Sequence, residues 1–345
     1  MKFSRSWLFC FTAFIVAIFG ISAVALYVQP DFVQPRLAHA AVTSFAGVNW
    51  ADARDNYNSG WVIPTGLTAS DSYATVQAKA NKILAGFQNN LGANTVRLPI
   101  NPPSVMQSWW GSYTAAIDTA LSRGMRVILG CWTASHSQGT VSNLSNFWTM
   151  WRIVTNKYGS NSHVYFEILN EPYGYSATAW TNLAAQWLST FPSIPRGRVI
   201  VSGTGYNDHL SAVGSDKRLA GCLLSLHIYA YWKTSNTTET EWKQELLSRL
   251  GGYASRAVVD EFGAPMTTGI NYNIGESHIN GNYNVAFMYG VPNQIRKLGI
   301  GAVYWPGLRS GDTFSMERLN GSGTNISLSN TNASGRVQLR WAWGY

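Results

Sequence analysis

The sequence predicts a single (β/α)₈ barrel, an α/β fold of the TIM type, on three observations. Short β-branched runs alternate with amphipathic stretches from residue 44 onward, the pattern of parallel βα units. The runs are continuously apolar, as in Val127-Ile128-Leu129 and Ala257-Val258-Val259, so both faces of each strand need cover, which a ring of helices supplies. Eight such runs occur, and no Gly-x-Gly-x-x-Gly follows the first, which removes the main support for a doubly wound open sheet.

Taken in order, a strand is expected at residues 44–49, then a helix over 73–90 behind the cap candidates Thr68, Ser70 and Asp71. A strand at 95–100 is stopped by Pro102-Pro103, and a helix over 113–123 is closed by Gly124, the residue type favoured just past a helix end. A strand at 126–131 precedes a helix over 146–157 closed near Gly159. The strand at 163–170 is stopped by Pro172 and followed by a helix over 177–191. The strand at 198–202 leads to a weak helical region over 208–218, and the strand at 223–229 to a helix over 238–250 closed by Gly251-Gly252. The strand at 256–262 leads to a helix over 283–298 closed by Gly299, and the strand at 301–305 to a last helix over 334–343. Residues 50–72 and the irregular segment 307–332 are the long connections, able to wall off one end of a rim.

Composition narrows the function. Of the 345 residues only 12% are charged, while Trp, Tyr and Phe reach 13% with 15 Trp. This excludes a disordered chain and suits a large core plus aromatic surfaces on which the flat C–H faces of sugars stack. The net charge of +8 is +6 beyond residue 40 and comes from scattered residues, with no run of five. A nucleic-acid partner would want a stripe. Lys2 and Arg5 precede an apolar stretch over residues 7–28, and Ala38-His39-Ala40 offers a small-x-small cleavage site. Residues 1–40 therefore read as a signal peptide or an N-terminal membrane anchor, and residues 41–345 as one catalytic domain outside the cytoplasm. Cys131 and Cys222, beyond the segment holding Cys10, match no zinc spacing and read as buried thiols.

In a barrel of this type the reactive residues stand at the C-terminal ends of the strands. Arg97, Asn170-Glu171-Pro172, His227, Tyr229, Glu261 and Trp305 occupy those ends. Two carboxylates on one rim are what glycoside hydrolysis needs, one protonated to release the leaving oxygen and one ionised. Their environments must push their pKa values apart, and Arg97 is the candidate to hold Glu261 ionised.

The segments that carry this pattern are Phe166-Glu167-Ile168-Leu169-Asn170-Glu171-Pro172, Val259-Asp260-Glu261-Phe262-Gly263, Thr95-Val96-Arg97-Leu98-Pro99, Leu226-His227-Ile228-Tyr229 and Tyr304-Trp305. In that combination the chain resembles glycoside hydrolase family 5, the cellulase-like family of barrels with glutamates on strands four and seven. The resemblance implies a retaining enzyme with Glu171 as acid/base and Glu261 as nucleophile. It further implies Asn170 on the 2-hydroxyl of the reacting sugar, Arg97 and Tyr229 on the nucleophile, His227 lining the reacting subsite and Trp305 beneath the sugar. The family's histidine at the end of strand three is missing. Either His136 reaches back from the loop or Trp132 holds the position. The segment Trp305-Pro306-Gly307-Leu308-Arg309 also departs from the usual loop after strand eight.

The expected function is a secreted endo-β-1,4-glucanase acting as a monomer on a polysaccharide or oligosaccharide. An exo-acting β-glycosidase and a mannanase or xylanase on the same barrel remain open. A non-catalytic carbohydrate-binding barrel would want one of the two glutamates replaced, and neither is. No cofactor or metal motif occurs, and no Gly-x-Ser-x-Gly elbow. Glu167 is expected to be buried and structural. Asp260 is expected to point away from the rim by strand alternation. His163, His209 and His278 read as surface or core histidines, and Trp109-Trp110 and Trp232 as rim-loop residues open to stacking. The Asn-x-Ser/Thr triplets at Asn143, Asn236, Asn325 and Asn332 read as unmodified.

Overall fold

A computed structural model describes residues 45–55, 58–275, 279 and 281–345. The segment 1–40 and His278 lie outside the described residues. Eight strands close in sequence order into a parallel barrel. They are β1 (Ala46–Trp50), β2 (Thr95–Ile100), β3 (Arg126–Cys131), β4 (Val164–Glu167), β5 (Val199–Ser202), β6 (Leu223–Tyr229), β7 (Ala257–Gly263) and β8 (Gly301–Leu308). Around them run α1 (Tyr73–Gly86), α2 (Pro102–Met106), α3 (Trp109–Ser122), α4 (Leu144–Tyr158), α5 (Ala177–Thr190), α6 (Ser211–Ser215), α7 (Glu239–Leu250), α8 (Tyr283–Leu298) and α9 (Ala333–Ala342). Among the described residues no helix is long and apolar enough to cross a membrane.

Local chemistry sets the helix ends. Ser72, Asn143, Ser176 and Asn332 each accept a backbone N–H of the first turn, and Thr238 with Glu241 forms a reciprocal capping box on α7. Gly299 closes α8 at φ 64°, a conformation that favours glycine.

Several expectations shift. The helix expected over 73–90 ends at Gly86 and continues as a wider turn over Phe87–Leu91. Pro102 and Pro103 do stop β2, but they also open α2 behind the Asn101 cap, because a proline in the first helical turn loses no hydrogen bond. Trp109 and Trp110 are not rim-loop residues, since α3 begins at Trp109. Trp109 is buried, with its indole N–H on the Val62 carbonyl, and Trp110 packs on Tyr113 and Tyr158. The segment 307–332 is largely regular. β8 runs on to Leu308, and β9 (Glu317–Ser322) pairs antiparallel with β10 (Asn325–Asn330). The hairpin's apolar pair Leu319 and Leu328 seats it on α1, where Gly86 leaves room: a Cβ there would meet Leu328 at 2.7 Å.

The apolar core fills the space between strands and helices. A separate apolar plug, Phe45, Ile128, Ile200, Val258 and Val303 with Tyr165 and Leu223 against it, fills the barrel interior at the strand starts. One irregularity shapes the site. β7 carries an extra residue relative to both neighbours, pairing Leu226 with Val259 but His227 with Glu261. Such a bulge suspends alternation locally.

Candidate active site

Arg97 organises the upper barrel interior. It has no solvent exposure, and all five of its N–H groups are used. Nε and Nη2 donate to the two oxygens of Glu167 at 2.6 and 2.7 Å, Nη1 to Asn49 at 2.8 Å and to Glu261 at 2.6 Å, and Nη2 to Asn170 Oδ1 at 2.6 Å. Glu167 is therefore buried and structural, as alternation places it two residues above Tyr165. Gly130 makes the room, since a Cβ there would lie 2.7 Å from Glu167 Oε2.

Glu261 is held on both oxygens: Oε1 by Arg97 and Oε2 by the Tyr229 hydroxyl. With Oδ1 of Asn170 taken by Arg97, its amide N–H₂ is the end left for a ligand. Glu171 is different. It keeps 23% of its side chain exposed, and its one close partner is Nδ1 of His227, 2.9 Å from Oε1.

Asp260 does not turn away. The bulge at this position brings it inward beside Glu261, one level deeper. Its Oδ1 accepts the Ser225 hydroxyl and lies 3.4 Å from His227 Nε2, and its Oδ2 lies 3.7 Å from Arg97 Nε.

These placements separate the protonation states. Burial alone would lower the His227 imidazolium, but Glu261, Asp260 and Glu171 around it outweigh that and raise it to about 10. Burial pushes the Asp260 carboxyl up, and Arg97, His227 and Ser225 more than reverse this, leaving it below its ordinary value. Burial raises Glu171 against the pull of His227, with the Glu261 charge adding to the rise, so it tends to keep its proton. Burial, then the Glu261 charge, hold the Tyr229 phenol well above its usual value. Glu171, His227 and Glu261 offer donor atoms within 4.8 Å of one another, as do Glu167, His227 and Asp260. The Arg97 guanidinium already brings positive charge to Glu167 and Glu261.

Above this floor lies a cleft of about 420 Å³. Trp305, Trp132 and Tyr229 form its base, with the two indoles stacked 5.8 Å apart and Arg97 4.4 Å from the Trp132 ring centre. Tyr206 after β5 and Tyr231 and Trp232 after β6 form one side. Arg309, Asp312, Thr313 and Phe314 after β8 form the other. Arg309 is anchored by Asp55 at 2.9 Å and by the carbonyls of Asp52 and Ala53, so the connection after β1 braces this wall rather than lining it.

Of the residues singled out from sequence, Arg97, Asn170, Glu171, His227, Tyr229, Glu261, Trp305 and Trp132 converge here, and Trp232 joins them. His136 does not. It is exposed and lines a separate cavity of about 170 Å³ over β2 and β3, while Trp132, the residue after β3, packs against Trp305 in the cleft. His163 and His209 are exposed. Sequence reasoning passed over Tyr206 and Tyr231, each about half exposed at the cleft. The signal was there, since both lie just past a strand end.

A family model for cellulase (glycosyl hydrolase family 5) matches residues 58–306. A comparison with curated proteins gives no match. Among solved structures, the hyperthermophilic endocellulase of the archaeon Pyrococcus horikoshii is 17% identical, with a TM-score of 0.63 over 87% of this chain and 92% of that one. A triply substituted endo-β-1,4-glucanase of Xanthomonas axonopodis pv. citri is 16% identical, with a TM-score of 0.58 over 86% and 98%. A cellulase in complex with an inhibitor is 16% identical, with a TM-score of 0.64 over 87% and 92%. At such identities the structural likeness is one of fold. The family match spans the strands that carry both glutamates, and the chain belongs to glycosyl hydrolase family 5, the cellulase family.

Proposed function

We propose that this chain is a secreted, retaining endo-β-1,4-glucanase in which Glu261 is the nucleophile and Glu171 the acid/base. The observation that carries this reading is the spacing of the pair: carboxylate oxygens of Glu171 and Glu261 lie within 4.8 Å. Retention works at about 5–5.5 Å between carboxyls, whereas inversion leaves room for a water at about 6.5–9.5 Å. The environments divide the labour. Glu261, pinned by Arg97 and Tyr229, attacks the anomeric carbon as the C–O bond to the leaving sugar breaks, and Glu171 gives its proton to the departing oxygen. Glu171 then takes a proton from water, which displaces Glu261 from the glycosyl ester. Asn170 offers its amide to the 2-hydroxyl, and Trp305 and Tyr206 offer stacking faces within the cleft.

Endo action on a β-1,4-glucan is favoured by the family and by the structural neighbours named for endocellulase and endo-β-1,4-glucanase activity. Secretion rests on the targeting pattern of residues 1–40. A second reading, exo action, draws on the wall formed by residues 309–314. Carboxymethylcellulose separates the two. Endo cleavage drops viscosity well before reducing ends accumulate, and a proportional change of both establishes the exo reading instead. Proton NMR of the first-formed anomer tests retention, with an α-product sinking the nucleophile assignment. N-terminal sequencing of the exported protein tests cleavage after Ala40.

A further inference from the structure

His227 is fully buried and has carboxylates on both sides of its ring. Nδ1 faces Glu171 Oε1 at 2.9 Å and Glu261 Oε2 at 3.4 Å, and Nε2 faces Asp260 Oδ1 at 3.4 Å. The reaction described above uses only the Nδ1 side. A buried carboxylate such as Asp260 is costly to maintain, and nothing in that reaction calls for it.

A directed chain of hydrogen bonds fixes Asp260 Oδ1 as an acceptor. The Gly203 N–H donates to Asn207 Oδ1, so the Asn207 amide must turn its N–H₂ to Ser225 Oγ. The Ser225 hydrogen then goes to Asp260 Oδ1. A backbone N–H cannot reverse its role, so the chain runs one way and ends on Asp260 as an acceptor. Asn207 also ties the chain to the histidine, since its carbonyl accepts the His227 N–H at 2.7 Å. His227 Nε2 lies 3.4 Å from this acceptor, which favours a hydrogen over a lone pair on that nitrogen.

We propose that Asp260 is a positioning residue for the acid/base: by holding a hydrogen on Nε2 it keeps His227 doubly protonated, so that Nδ1–H donates to Oε1 of Glu171 and the transferable proton resides on Oε2. The proposal rests on the reading of Glu171 as acid/base. A ring with hydrogen on Nε2 alone would present a bare lone pair at Nδ1, and the Glu171 proton would then be pinned on Oε1, facing the histidine and away from the leaving group. The charged groups around the ring are Arg97 from β2, Glu167 and Glu171 from β4 and its following loop, and Asp260 and Glu261 from β7, with Tyr229 and Ser225 on its own strand. With Glu171 carrying its proton, Glu167, Asp260 and Glu261 stand against one guanidinium and leave room for one more cation, and His227 is the group that supplies it.

The test is the pH dependence of kcat/KM in Asp260→Asn, on an alkyl or phenyl β-cellobioside and on the 2,4-dinitrophenyl analogue, which departs without a proton. Removing an anion beside His227 lets the His227–Glu171 pair shed its first proton earlier. The alkaline limb for the poor leaving group should therefore move to lower pH by about 1 unit, while the dinitrophenyl substrate shows no such movement. Ser225→Ala, a gentler change, should move the limb the same way by less. In ¹⁵N-histidine NMR at pH 8, both His227 nitrogens should be protonated in the parent enzyme, with the proton count falling in Asp260→Asn. A uniform loss with unmoved limbs, an equal shift on both substrates, or an unprotonated Nε2 in the parent overturns the proposal. Failure of the underlying reading looks different. In that case Glu171→Ala loses activity equally on both substrates and azide gives no rescue, whatever Asp260→Asn does.

Discussion

The two ends of the barrel interior are built on the same strands and could hardly differ more. At the strand starts, Phe45, Ile128, Ile200, Val258 and Val303 make a dry plug. Further along the same inward-facing rows stand Asn49, Gly130, Ser202, Asp260 and Trp305, and between them Arg97, Glu167 and His227. Side chains two apart along a strand share a face, so one register serves both layers. The lower layer rewards apolar volume and tolerates any residues that fill it. The upper layer is built around committed polar groups, above all the five N–H groups of Arg97, and an orphaned buried charge there costs several kcal/mol. Stability and chemistry are thus divided by depth.

The sharpest way to break that division is at the nucleophile. Glu261→Gln should keep the fold and lose activity by roughly 10⁵–10⁶-fold, the scale of removing a covalent nucleophile. Near-normal turnover in a folded variant would end the assignment. Glu171→Ala should cost about 10²–10⁴-fold on poor leaving groups. On an activated aryl glycoside, azide should restore turnover and give a glycosyl azide of retained configuration.

Gly130→Ala sits at the boundary between the layers. Its Cβ would lie 2.7 Å from Glu167 Oε2 and 3.2 Å from the Trp132 ring, so it should lower stability by about 1–3 kcal/mol and kcat together. A variant that lost Tm alone would show that the charged layer can shift without harm. Ile200→Ala, in the plug, should lower stability by about 2–5 kcal/mol while leaving kcat/KM at 25 °C unchanged, and a matching fall in activity would show the layers to be coupled.

The smallest effect expected lies outside the barrel. Glu317 is 1% exposed, with one oxygen held by Asn90 and the Asn330 side chain beside the carboxyl. Burial, against the Asn90 bond, raises its carboxyl from 4.5 to about 7. The folded state then keeps this proton longer than the unfolded chain does, so stability is lost as pH climbs from about 4.5 to 7 and stays lost above. Glu317→Gln should raise Tm by a few degrees at pH 8 and not at pH 4.

Much of this organisation was legible in the sequence. Continuous apolar runs marked the strands, and the glutamates and Arg97 stood where the runs ended. Asp260 was misread because alternation is a rule about unbulged strands, and nothing in Val259-Asp260-Glu261-Phe262 announces an extra residue. The hairpin was hidden by polarity: only Leu319, Ile326 and Leu328 are apolar in it, although Gly323-Thr324 is a two-residue turn of the hairpin kind. His136 and Trp132 could not be told apart because the loop between them decides which side chain comes back.

The bulge in β7 also amounts to a change of parity. Below it, odd and even positions of the strand divide cleanly between barrel and helices. Above it the assignment is reversed, which is how two adjacent codons both face the catalytic interior. Only Asp260 and Glu261 lie between Val259 and Phe262, so deleting either would restore the simple count and leave a single acid at the one inward position. A gene that loses that single codon would still specify a barrel, but one that keeps only half of its paired acids.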